Sequence, residues 1–284
     1  MPAFVTHDLF AKKLLQALPF QTNQKQQRAF AWGAQGPDVL FFQTDLSSLA
    51  LLGRQMHREQ VDTVLTAWRN YALAQDDEEI TFYFCGLLSH YCLDTVLHPY
   101  VYALQRKLVQ KGFSGGVHNR IESDIDTALY THFTGKSLQN FSLNHLKGER
   151  MLYQKLARGW QQVILQVFGK KYSVARIEEV YYGSLFFFAC FGKSALLRKS
   201  AQLVESKMGA PHSLSGNFHY EKTHDSVLNL SRKGWRHSDG EFCRDSVTDL
   251  LEKAADQWLD LIKTALAGQE MSHLLQKPYN YGKI

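Results

Sequence analysis

The chain has 284 residues, 45% of them hydrophobic and 21% charged, with a formal net charge of +5. This is the composition of an ordinary folded, soluble protein, long enough to build a substantial core. The mild positive charge is not gathered into a dense Lys/Arg block, so a dedicated nucleic-acid binder is not favoured, while anionic or phosphate-bearing partners remain compatible.

Helical periodicity dominates from the start. Residues 4–18 carry Phe4, Leu9, Phe10, Leu14, Leu15 and Leu18 on one face, as an amphipathic helix does. "QKQQRAFAWGAQGPD" reads as a helix running out at Gly33 and Gly36, with Pro37 and Asp38 in a turn. Further helices are expected over about 57–74, 79–111, 117–134, 147–168, 173–206 and 243–267, with "KGFSGG" at 111–116 as a break. Residues 208–240 have no period and read as a long irregular connection. Alternating strand patterns are nearly absent. The expectation is one all-α domain over residues 1–284, its last helices packing on the first.

Compartment is read from cysteines and apolar runs. Cys85, Cys92, Cys190 and Cys243 form no CxxC, and Cys85 and Cys92 lie too far apart along one helix to be bridged. Reduced cysteines fit a cytoplasmic setting. "MPAFVTHDLF" has no basic-then-apolar signal pattern. The most apolar run, residues 180–192, is too short to span a bilayer, so no integral membrane segment is expected. Trp32, Trp235 and the Phe-rich run 186–191 read as core.

Against this background "HYCLDTVLHPY" stands out, because His90, Asp94 and His98 recur every four residues inside an apolar helix. They drift by about 40° per step and so form one stripe. Pro99 is expected to strain or kink the helix and turn His98 toward a neighbour. "HNRIESDID" repeats the arrangement with His118 and Glu122, followed by Asp126, which with Asp124 reads as a polar face. Two helices that each present a His and a carboxylate meet the needs of an inter-helical metal site, and imidazole with carboxylate suits zinc. Ligands are too many for one tetrahedral ion. Paired ions about 3.5–4 Å apart serve phosphate-ester displacement. His7, Asp38 and His57 are further candidates. Taken singly, His7 and His57 read as solvated histidines and Asp38 as a turn residue.

In chain order these residues form a series: an N-terminal His, a "PD" turn, a His, HxxxD, a His and HxxxE. The series resembles the zinc-dependent phospholipase C family and the related phospholipase C/D domain of uncharacterised bacterial proteins. "FVTHDLFAKKLL", "AWGAQGPDVLFF", "GLLSHYCLDTVLHPY" and "HNRIESDID" carry the resemblance over about residues 1–135, and residues 136–284 complete the helical fold. Zinc-dependent single-strand nucleases share that fold and ligand logic. The resemblance implies two or three zinc ions. Asp38, His57, His90 and Asp94 would hold the first, and His98, His118 and Glu122 the second. Asp94 would bridge to a third ion held by His7, and Asp38 is the candidate catalytic base for metal-activated water. The four-residue step from Asp94 to His98 is shorter than in the secreted members and resembles the uncharacterised branch. No match to the family's choline-binding residues is found.

The expected activity is therefore that of a phospholipase C-like, metal-dependent phosphodiesterase, acting on a phosphate ester such as a phospholipid. Two alternatives make different demands. A helical binding protein with a structural or vestigial metal requires closed sites. A nuclease requires exposed aromatics beside a basic groove. The stretch 227–242 has the mixed content of a pocket wall, and His219, His224 and His237 read either as surface-loop residues or as part of a lid.

Overall fold

A computed structural model describes residues 4–42, 48–207 and 225–283. Among these the α-helices are α1 Phe4–Ala17, α2 Gln24–Gly33, α3 Ser48–Met56, α4 Val61–Gln75, α5 Glu78–Gln110, α6 Val117–Thr134, α7 Arg150–Phe168, α8 Val174–Lys193, α9 Ala195–Lys207 and α10 Val247–Leu266. A 3-10 turn at Gly36–Phe41 follows α2, and one small antiparallel hairpin pairs Trp235–Arg236 with Phe242–Cys243. The architecture is all-α.

Three boundaries differ from expectation. The helix expected over 57–74 begins only at Val61, as α4, and α3, which precedes it with His57 in the turn between them, was not expected. The helix expected over 173–206 breaks at Ser194 into α8 and α9. Of the irregular connection expected over 208–240, residues 208–224 lie outside the described residues, and the rest contains a 3-10 turn at Asp225–Leu228 and the first strand of the hairpin.

α5 is the helix around which the others pack. Asp77 caps it, its side chain accepting from the backbone N–H groups of Glu79 and Ile80. It is long and apolar enough to cross a membrane, but 83% of its apolar window is buried inside the fold, as in the core helix of a folded domain. α10 lies on it and sends the Trp258 indole N–H to the Cys85 carbonyl at 2.9 Å. α7 sends the Trp160 indole N–H to the Tyr83 hydroxyl at 2.7 Å, and that hydroxyl also meets Tyr181 of α8. Pro99 does not end α5, which continues to Gln110. Trp32 and Trp235 are core residues. The Phe-rich run is core on one face only: Phe188 is buried with Tyr181, Ser184 and Ile177, while Phe186 on the opposite face is 58% exposed.

The crossing of α2 on α5 is closest at Gly33 and Gly86. A Cβ on Gly33 would stand 2.0 Å from the Tyr83 carbonyl oxygen, and one on Gly86 would stand 2.2 Å from that of Phe30. Backbone meets backbone here, so nothing flexible can give way. The contact brings the C-terminal end of α2, and with it Ala34 and Asp38, up to His90. Gly86→Ala is therefore expected to lower the unfolding free energy by about 1–3 kcal/mol, the range for overpacking a tight site. An unchanged urea midpoint would show that the helices are free to separate.

Candidate metal centre

Four of the candidate histidines are oriented in the same way. The Nδ1–H of His57 donates to the Gly53 carbonyl on α3 at 2.6 Å, and that of His90 donates to the Ala34 carbonyl just past α2 at 3.1 Å. The Nδ1–H of His98 donates to the Tyr279 carbonyl in the C-terminal tail, and that of His118 donates to the Gln105 side-chain oxygen on α5 at 3.2 Å. A carbonyl oxygen only accepts, so each of these Nδ1 atoms is the donor. In the neutral ring each Nε2 is left with a lone pair directed away from its anchor.

Those lone pairs face carboxylates. His57 Nε2 stands 2.7 Å from Asp38 Oδ1, and His90 Nε2 stands 3.7 Å from Asp38 Oδ2 and 3.3 Å from Asp94 Oδ2. His98 Nε2 and His118 Nε2 meet the same oxygen, Glu122 Oε1, at 3.2 and 3.1 Å. His7 stacks on His90 with ring centroids 4.3 Å apart, and its Nε2 lies 3.1 Å from Asp94 Oδ1. Both Asp38 oxygens lack a bonded donor. So do Asp94 Oδ2 and Glu122 Oε2, while His90 Nε2 and His7 Nδ1 are likewise unpartnered.

The arrangement fits a bound cation. Zinc bonds of about 2.0–2.1 Å at tetrahedral angles set donor atoms about 3.3 Å apart, close to the separations just described. Three buried carboxylates among neutral imidazoles also leave a negative charge that a buried site does not tolerate without compensation. Protons take up part of that role. Burial disfavours charge on His98, yet Asp94 and Glu122 outweigh it and hold its pKa at about 9. Asp94 and Asp38 likewise raise His90 against burial. Against burial, His98 and His90 hold Asp94 well below the usual carboxylate range, and His118 does the same for Glu122. Burial lowers His7, with His90 adding to the effect, and burial also lowers His118.

Three of the four candidate ligand clusters among the described residues lie here: Asp38, His57 and His90; His7, His90 and Asp94; and His98, His118 and Glu122; the fourth, His237, Asp239 and Glu241, is on the hairpin, with both carboxylates exposed. All eight residues singled out in the sequence thus fall at one place. His7 and Asp38 are buried rather than solvated, at 2% and 1% exposure. Asp94 reaches His7, His90 and, at 3.9 Å, His98 Nδ1. Local structure makes the approach of Asp38 feasible. Gly36 has φ +57, and a Cβ there would stand 2.3 Å from the His90 ring.

The centre opens into a cavity of about 470 Å³ lined by Asp38, His57, Asp94, His98, His118 and Glu122. Its late-sequence lining comes from Asn280 and Lys283, not from the stretch 227–242. That stretch belongs to the hairpin, where Trp235 packs on Tyr100 and His237 stacks on Trp235. His219 and His224 lie outside the described residues.

Two contributors had no signal in the sequence pattern. One is the tail: Tyr279 is buried against the rings of His57 and His90, the Asn280 N–H donates to the His57 carbonyl at 3.3 Å, and Gly282 rests on Pro99. The other is Asp126, expected on a polar face but buried. It accepts from the backbone N–H groups of Val5 and Thr6 at 3.2 and 2.7 Å and from the Thr6 hydroxyl at 2.7 Å. It therefore caps the first turn of α1 from α6, one residue before His7.

A model of the family described as zinc-dependent phospholipase C matches residues 6–183. No curated protein and no solved structure matches the chain.

Burial pushes the Asp126 carboxyl up to about 7, against the pull of its three hydrogen bonds. A raised acid favours the protonated form in the folded chain. Its contribution to stability is complete below the ordinary carboxylate range and is lost as pH rises toward 7. Asp126→Asn mimics the protonated form. The wild type is expected to lose stability relative to this variant between about pH 4.5 and about pH 7.5 in urea unfolding. A difference that does not change with pH would refute the assignment.

Proposed function

The chain belongs to the zinc-dependent phospholipase C family, and from that membership we propose that it is a zinc-dependent hydrolase of phosphate esters, with a phosphodiester such as a phospholipid as substrate. The observation that carries this reading is the set of imidazole Nε2 atoms facing unpartnered carboxylate oxygens along the wall of an open cavity. A metal that only supports structure is closed off by its ligands. Here the ligand candidates border a space large enough for a small phosphate ester, which favours an enzyme over a helical binding protein.

In this proposal Asp38, His57, His90 and Asp94 hold one ion, and His98, His118 and Glu122 a second. Asp94 and His7 serve a third. Zinc supplies Lewis acidity toward the phosphate oxygens and makes water acidic enough to be a nucleophile near neutral pH. The protein's own groups do the rest. The carbonyl anchors hold four imidazoles in one tautomer, so no reorientation accompanies the reaction. Asp38 has no hydrogen-bond donor on either oxygen and borders the cavity, which suits it to accept the proton of the attacking water. His7 lacks an anchor on Nδ1, so its share of the centre is the least fixed. The cytoplasmic setting is proposed on the four free cysteines.

The test combines metal content with turnover. Chelation should abolish hydrolysis of bis(p-nitrophenyl) phosphate and zinc should restore it. His118→Ala should release about one equivalent of zinc by elemental analysis, and Asp94→Asn more than one, because Asp94 touches histidines of more than one cluster. Asp38→Asn should lower kcat by about 10²–10⁴-fold, the usual worth of a general base. Purified protein that binds no zinc would sink the proposal.

A further inference from the structure

The mouth of the cavity is chemically unlike its floor. At the floor the carboxylates of Asp38, Asp94 and Glu122 are each matched by imidazoles. At the mouth stand Arg54, Arg58 and Lys283, all exposed. None of the three makes an ion pair with another described residue. Arg54 lies in the last turn of α3, and Arg58 lies in the turn just after it, where its backbone N–H is held by the Gln55 carbonyl at 3.0 Å. Lys283 is placed by the tail, which is fixed beside the centre through Tyr279, Asn280 and Gly282. Its own backbone N–H donates to the Asn280 carbonyl at 3.2 Å. Lys283 also lies outside residues 6–183, the segment that the family model matches.

We propose that Arg54, Arg58 and Lys283 form an anion subsite, so that the preferred substrate is a phosphate ester bearing a second negatively charged group next to the phosphate. This rests on the phosphoesterase reading above and adds the substrate class. Phosphate and carboxylate groups match guanidinium geometry, and Lys283 adds a point charge. A quaternary ammonium group would find the opposite. Its recognition uses open aromatic faces, and the aromatic side chains here are already engaged. Tyr102 stacks on His118 with centroids 4.9 Å apart, and Phe41 packs on His57 at 5.4 Å. Three cations at the mouth would repel such a head group. The same anion could be carried by a lipid head group or by a free phosphate ester.

Three matched ligands test the idea on the zinc-loaded full chain: 3-phosphoglycerate, glycerol 3-phosphate and phosphocholine, whose second groups are anionic, neutral and cationic. Calorimetry should give affinities in that order, with about a tenfold step from the first to the second. The step should shrink as salt rises, since exposed charges are screened over about 8 Å at physiological ionic strength. In the combined variant Arg54→Gln, Arg58→Gln and Lys283→Gln the step should fall below about twofold. Circular dichroism and zinc content should stay at wild-type levels, because all three side chains are exposed and none is a ligand candidate.

A preference for phosphocholine, or a step that persists in the variant, would overturn the subsite. Equal binding of all three ligands by a zinc-loaded, active protein overturns the subsite alone. A protein that neither holds zinc nor turns over bis(p-nitrophenyl) phosphate overturns the phosphoesterase reading itself. Hydrolysis of phosphatidylinositol 4-phosphate in phosphatidylcholine vesicles would assign the anion to a lipid. No such hydrolysis, with the soluble preference intact, would assign it to a free ester, and either result supports the subsite.

Discussion

Everything around the centre depends on one recurring bond, an imidazole Nδ1–H held by a carbonyl oxygen. Four such bonds come from four places: α3, the end of α2, α5 and the C-terminal tail. Each fixes a tautomer and a ring direction, so the Nε2 lone pairs converge on three carboxylates. The centre is therefore built less by its ligands than by the groups behind them, three backbone carbonyls and the Gln105 side chain. Those groups stay in place only if the helices meet at the right depth.

That depth is set mainly by the α2–α5 crossing. Its two facing glycines let backbones touch, and the end of α2 then delivers the Ala34 carbonyl to His90 Nδ1 and Asp38 to His90 Nε2. One crossing thus supplies both the anchor and a carboxylate for the same ring. α6 is tied to the same frame by Asp126, which holds the first turn of α1 and hence His7. The buried carboxylates need cations or protons. The fold supplies the groups that hold either: Asp94 and Glu122 favour the charged form of His98, and His98 and His90 favour that of Asp94.

Much of the centre was legible in the sequence because its ligand candidates are residue types with a fixed helical spacing. His90, Asp94 and His98 form a stripe on α5, and His118 and Glu122 repeat it on α6. The all-α class followed from the same periodicity. What stayed hidden has physical causes. A backbone carbonyl leaves no mark in a sequence, so Tyr279 as the anchor of His98 was invisible. Asp126 has the residue type of a solvated helix face and differs only in what packs over it. α3 was not anticipated because its nine residues are too few to show a period. The run 186–191 is apolar on all sides, so its pattern could not separate buried Phe188 from exposed Phe186.

The tail shows why a family resemblance confined to the first two thirds of the chain understates the design. The matched segment, residues 6–183, holds all eight ligand candidates of the centre. Yet His98 takes its direction from Tyr279, His57 and His90 are packed by the Tyr279 ring, and Asn280 and Lys283 line the cavity. The tail thus contributes backbone anchors and a rim to the centre rather than ligand candidates. Under the anion-subsite proposal, a change at Lys283 acts on which substrate is admitted rather than on the reaction itself. In the proposed reading the stripe at His90, Asp94 and His98 serves the reaction, while Lys283 of the tail shares the selection with Arg54 and Arg58.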